Sequence, residues 1–163
     1  MVELLSECHA RIRTFLDLAR RMASTPALGA VDTRTTAAGV RRYFTVAFPL
    51  HLADEDEILI PRLRQQNAEL DAALARMHAD HGEHEPAVNR LVEICTALEK
   101  DPQQLPARAG ELGDAVAALM KVIEPHLALE EKTIFPALAA LPREIRDEMR
   151  VAMRARREPV ASE

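Results

Sequence analysis

Apolar residues recur along this chain at spacings that alternate four and three, the pattern of helices burying one stripe in a bundle. The first run predicts a helix over about 2–23, with Leu5, His9, Ile12, Leu16, Ala19 and Ala23 facing inward, and the Ser24-Thr25-Pro26 break ends it. A second helix is expected from Asp32 or Thr33 to about Gln65, its seam formed by Val40, Phe44, Ala47, His51, Glu55 and Ile58. After a turn around Asn67 the third is the most regular: Leu70, Leu74, Met77, His81, His84, Val88, Leu91, Cys95 and Leu98. A loop from Lys100 to Pro106 leads to a fourth, with Leu112, Val116, Leu119, Ile123, His126, Glu130, Thr133 and Ala137 inward. A short amphipathic helix carrying Ile145, Met149 and Ala152 or Met153 then closes one side, and the tail from Glu158 is expected to fray.

These elements predict an all-α fold, an up-down-up-down four-helix bundle with a short additional C-terminal helix. The whole chain, 1–163, reads as a single domain whose core spans about 4–141 and whose C-terminal helix spans about 142–157. Pro49 and Pro125 each remove a backbone hydrogen bond, so kinks are expected just before His51 and His126. Pro86 sits four residues after Gly82, and a bend there decides whether His84 or Glu85 points inward.

Composition supports helices over a sheet: nearly half the residues are apolar, yet there are four Phe, one Tyr and no Trp. The net charge of −5 gives no basic footprint for nucleic acid. Arg150, Arg154, Arg156 and Arg157 read as cations complementing a helix C-terminus, with an anionic partner as the alternative. Cys8 and Cys95 make no disulfide framework, and no run is long enough to span a bilayer. A cytoplasmic protein without membrane association is the resulting expectation. Asp54, Asp56 and Glu57 read as solvated charge, and Tyr43 as packing at the bundle edge, with a phenolate ligand as its other reading.

The chemistry lies in a repeat. The stretches FPLHLADEDEILIPRL (48–63) and IEPHLALEEKTIFPAL (123–138) share a His, the Leu-Ala after it, a Glu four past the His, a Pro ten past it and a final Leu. Four residues of α-helix turn the side-chain direction by about 400° and advance roughly 6 Å, so His51 and Glu55, like His126 and Glu130, share a face. A single such pair is ordinarily a surface contact. Two copies at seam positions of two helices are read instead as metal ligands. Helices one and two then duplicate as three and four, which lays His9 over His81. Four imidazoles and two carboxylates on inner faces are costly to bury without compensation, and a metal pair provides it, with Glu55 and Glu130 bridging. Nitrogen and carboxylate donors without thiolate suit iron, manganese or zinc alike, and the positions left open for a bridging oxide or hydroxide and a small ligand argue for two iron ions. His78 lies about 60° from His81 and reads as a rim residue beside the ligands.

With these residues, the chain resembles the hemerythrin-like HHE cation-binding domains over roughly Leu4 to Leu141. The resemblance is carried by His9, the segment from His51 to Glu55, His81, the segment from His126 to Glu130, and by Pro61 and Pro136. It implies a non-haem di-iron site in a four-helix bundle. Oxygen-carrying members have a second His four residues along the third helix and an Asp five after the last His. Here Glu85 stands four after His81, His84 three after, and the last carboxylate is Glu130, which counts against reversible dioxygen carriage. His84 and Glu85 are additional candidate ligands.

Three functions follow. The first is a di-iron protein that binds or turns over dioxygen, peroxide or nitric oxide. The second is a non-enzymatic module that senses, stores or delivers iron, with a homodimer or a redox or regulatory protein as partner. The third is a metal-free interaction bundle.

Overall fold

A computed structural model describes residues 1–157; the expected fraying from Glu158 lies outside the described residues. Helix α1 is Val2–Ala23. Helix α2 covers residues 30–63 and is continuous, with wider π-type turns at Tyr43–Ala47 and Glu55–Leu59. Helix α3 is Ala68–Lys100, and α4 covers residues 105–140 with one π-type turn at Glu130–Ile134. Helix α5, Arg143–Ala155, ends the described chain. Asn67 starts α3 by accepting a hydrogen bond from the Leu70 amide at 2.9 Å, as its turn-forming side chain allows.

The first four helices run up-down-up-down, and each packs on its two neighbours in a closed ring. Their interior has three layers. One apolar cluster holds Ile12, Leu16, Phe44, Phe48, Leu91, Leu119 and Ile123. The other holds Leu5, Leu59, Leu63, Met77, Ile134 and Leu138, with Met149 and Met153 of α5 packed into it. Each helix crosses from one cluster to the other at its candidate ligands: Leu5, His9, Ile12 on α1; Phe48, His51, Glu55, Leu59 on α2; Met77, His81, His84, Val88 on α3; Ile123, His126, Glu130, Ile134 on α4. A polar layer is therefore sandwiched between two dry ones.

The π-type turns correct the expected seams. In each, an amide bonds the carbonyl five residues back: Phe48 to Tyr43, Ile60 to Glu55 and Phe135 to Glu130. A π turn carries one residue more than an α turn, so the buried stripe slips by one position. Phe48, Leu59, Ile134 and Leu138 are buried where Ala47, Ile58, Thr133 and Ala137 were expected. Pro61 and Pro136 each follow directly after the residue that closes such a turn; with no amide hydrogen they cannot restore the tighter ladder. The kinks expected from other prolines divide: a π-type turn precedes Pro49, while α4 runs through Pro125, and α3 through Pro86, as regular α-helix. On α1 Met22 is buried where Ala23 was expected.

Candidate metal centre

The four helices bring the six candidate ligands together at one level of the bundle. His9, His51, Glu55, His126 and Glu130 are at most 1 % exposed, and His81 is half-buried at the rim. Each carboxylate reaches two imidazoles from different helices. Glu55 Oε1 is 3.0 Å from His51 Nε2 and Oε2 is 3.1 Å from His81 Nε2. Glu130 Oε1 is 2.9 Å from His126 Nε2 and Oε2 is 3.3 Å from His9 Nε2. The donors fall into two sets, His9 with His51, Glu55 and Glu130, and Glu55 with His81 and His126; within each set the ligand atoms all lie within 4.8 Å of one another.

Short as these contacts are, they lack hydrogen-bond alignment: all four carboxylate oxygens and the Nε2 atoms of His9, His51, His81 and His126 have no hydrogen-bond partner. Buried polar atoms are almost always paired, so a group of orphans facing one another fits donors gathered around cations. The electrostatics agree. Burial and the facing charge of Glu130 push the Glu55 carboxyl well above the usual carboxylate range. Burial opposes ionisation of Glu130 too, but the imidazoles of His126 and His9 outweigh it and hold that carboxyl well below the usual range. Burial depresses His51 to about 3, so its imidazole is neutral and has a lone pair to give.

The outer nitrogens are anchored with the same pseudo-symmetry. His9 Nδ1 lies 2.9 Å from Glu131 Oε1, and His81 Nδ1 lies 3.2 Å from Asp56 Oδ2. Glu131 follows Glu130, as Asp56 follows Glu55. Arg13 in turn holds Glu131 at 2.8 Å and Glu124 at 3.2 Å.

The two halves differ at other positions. His84 is 1 % exposed, both its ring nitrogens are without a hydrogen-bond partner, and its ring centroid is 4.6 Å from that of His126. Its counterpart across the duplication is Ile12. Burial, then the neighbouring His126 and His81, depress His84 to about 4. His84 lies beside the second donor set but outside its tight group, and Glu85 is exposed. Asp80, unforeseen from the sequence, is 5 % exposed, pairs with Arg76, and brings Oδ2 to 3.6 Å from His126 Nδ1. Its counterpart is Cys8, and His51 Nδ1 has no partner.

The hemerythrin HHE cation-binding domain matches residues 1–138. This chain belongs to the hemerythrin HHE family. No curated protein matches it. Family membership and the His and Glu clusters together make it a metal-binding helical domain.

The structure changes the reading of Asp54 and Asp56 in this hemerythrin-family chain and gives the C-terminal arginines and Tyr43 their partners. Asp54, read as solvated, is fully buried and pairs with Arg156 Nε at 3.1 Å and Arg157 Nη2 at 2.6 Å. Those two arginines therefore pair internally with Asp54, and Arg157 Nη1 also donates to the Met153 carbonyl near the end of α5 at 2.6 Å, as a cation at a helix C-terminus does. Asp56 is half-buried against two histidines. Tyr43 is 7 % exposed, stacks on Phe15 at 4.2 Å and donates to the Cys8 carbonyl at 3.4 Å, so its oxygen is directed at backbone. Among the described residues no helix is long and apolar enough to cross a membrane.

Proposed function

We propose that this hemerythrin-family chain holds two metal ions, iron in both positions, between its apolar clusters and there binds or reacts with dioxygen, peroxide or nitric oxide. The observation that carries this reading is the placing of each buried, hydrogen-bond-free carboxylate between two imidazoles of different helices. One ion would take His9 and His51, the other His81 and His126, with Glu55 and Glu130 giving an oxygen to each. His84 stands beside the second set as a third nitrogen. Bound iron supplies open coordination positions and one-electron chemistry for a small molecule.

The chain's own residues set the terms. Asp56 and Glu131 accept from Nδ1 of His81 and His9, which fixes the tautomer and leaves Nε2 facing inward as the donor. The apolar layers above and below exclude water. A cavity of about 370 Å³ reaches His81 and His84 from outside, walled by Phe44, Phe48, Leu52 and Val88, and admits a small uncharged molecule more readily than an ion.

The test is elemental analysis of the purified protein with an optical spectrum under oxygen, followed by peroxide consumption and nitric oxide binding. Two irons per chain and a reactivity lost in Glu130→Ala support the reading. No metal, or one colourless zinc, would sink it and leave a structural or regulatory bundle.

A further inference from the structure

A third group of donors lies on the outer side of His81. His78 Nδ1 is 2.9 Å from Asp56 Oδ1 and His81 Nδ1 is 3.2 Å from Asp56 Oδ2; donor atoms of the three residues all lie within 4.8 Å of one another. Helix α3 sets His78 and His81 three residues apart on one face, with ring centroids 6.3 Å apart. Side-chain exposure falls from 67 % at His78 through 32 % at Asp56 to 8 % at His81, a path from solvent inward. A pocket of about 390 Å³ opens against Asp56 and His78. The His81 ring faces both ways, because its Nε2 is the atom 3.1 Å from Glu55 Oε2.

The other half of the duplication shows what is special here. Glu131, the counterpart of Asp56, has its charge answered by the Arg13 guanidinium at 2.8 Å. Among the described residues Asp56 pairs with no lysine or arginine, only with two imidazoles. One end of the site is thus closed by a fixed cation, while the other presents a carboxylate and two nitrogens to solvent.

We infer that, while the buried centre is empty, Asp56, His78 and His81 form a docking position for a divalent cation of the Zn²⁺ or Fe²⁺ class, from which metal passes inward as His81 shifts its ring proton from Nε2 to Nδ1 beside Asp56 and turns to Nε2 as its donor. Its loading role rests on the two-metal reading of that centre; its binding role does not. Three protein donors from nitrogen and carboxylate suit such a cation and leave its remaining positions to water, as a site of passage requires.

The experiment uses the full chain, metal-free and carrying Glu55→Gln and Glu130→Gln, which disable the buried carboxylates at nearly constant shape, dialysed against rising Zn²⁺ and assayed by elemental analysis. One zinc that depends on His78 is expected. Adding His78→Ala or His78→Gln, at an exposed position where folding is not at risk, should weaken that zinc at least ~10-fold. In the otherwise wild-type metal-free chain, uptake of Fe²⁺ should be several-fold slower in His78→Ala, with the same final content. Equal zinc with and without His78 overturns the proposal; equal loading rates overturn its loading role. A wild-type chain that never holds two irons, beside a zinc lost in His78→Ala, would keep the docking position and sink the buried centre.

Discussion

Asp56 and Glu131 do the same work on opposite sides of the bundle. Each directly follows a ligand-type glutamate and accepts from Nδ1 of a histidine on a neighbouring helix, Asp56 from His81 and Glu131 from His9. Such outer carboxylates orient the ring and raise its basicity as a donor. Glu131→Gln and Asp56→Asn are each expected to weaken metal binding by about 10- to 100-fold with little change in the fold. Competition against a chelator of known affinity checks this, and unchanged affinity in both variants would remove the orienting role.

Glu55 illustrates how the centre sets stability against binding. Its buried carboxyl has no hydrogen-bond partner and is pushed well above the usual range, first by burial and then by Glu130. Glu55→Gln removes the charge at nearly constant shape. The metal-free variant should therefore unfold at the same temperature as wild type or higher, by up to about 2 kcal/mol. It should also lose most of the thermal stabilisation that metal confers on wild type, which grows with metal concentration. Paired melting curves with and without metal are the measurement; a metal-free variant much less stable than wild type would contradict it.

The fold and the gathering of the inner histidines and glutamates were legible because the duplication repeats both spacing and chemistry: His51 with Glu55 and His126 with Glu130 announce each other. What the sequence hid has one main cause. Seam arithmetic assumes 100° per residue, and the π-type turns that begin at Glu55 and Glu130 break it, so Ile58 and Thr133 were read inward where Leu59 and Ile134 are buried. The signal was present in Pro61 and Pro136, which recur at one distance past each glutamate. The buried acids were concealed for a different reason. Asp54 and Asp80 are paired with arginines, one 102 residues away and one on the turn before, and no local pattern distinguishes a paired aspartate from a solvated one.

His84 gives a pH signature in the metal-free protein. Burial depresses it to about 4, against about 6.5 in the unfolded chain. A depressed histidine contributes stability that is present above pH ~6.5 and lost as pH falls towards 4, by at most about 1.4 kcal/mol per pH unit. His51, depressed by burial to about 3, acts in the same sense. His9 is pushed down by burial but raised overall by Glu130 and Glu131, so its contribution runs the opposite way and offsets part of the loss. A single curve mixes these, and a difference isolates one. Relative to wild type, metal-free His84→Leu should gain thermal stability steadily as pH is lowered from 6.5 to 4. A difference that stays flat would show that His84 is not held neutral by burial.

The C-terminal helix is fastened to the ligand-bearing helix by one buried charge. Asp54, next to Glu55, is fully buried, with Arg156 at 3.1 Å and Arg157 at 2.6 Å; Arg156 also reaches Glu57 at 2.6 Å. Burial raises the Asp54 carboxyl despite both guanidiniums, so desolvation is incompletely compensated even with the arginines in place. Removing Arg156 and Arg157 together would strand that carboxylate. The expected loss is about 1–3 kcal/mol, below the ~3–5 of a fully buried pair because the guanidiniums are a quarter to a third exposed. Asp54→Leu in the same double variant should recover most of it, since the stranded charge and not the lost attraction carries the cost. Chemical denaturation of the wild type, the double variant and the triple variant decides between them: failure of Asp54→Leu to rescue would mean that α5 is held by Met149 and Met153 in the lower apolar cluster, with the ion pair contributing little.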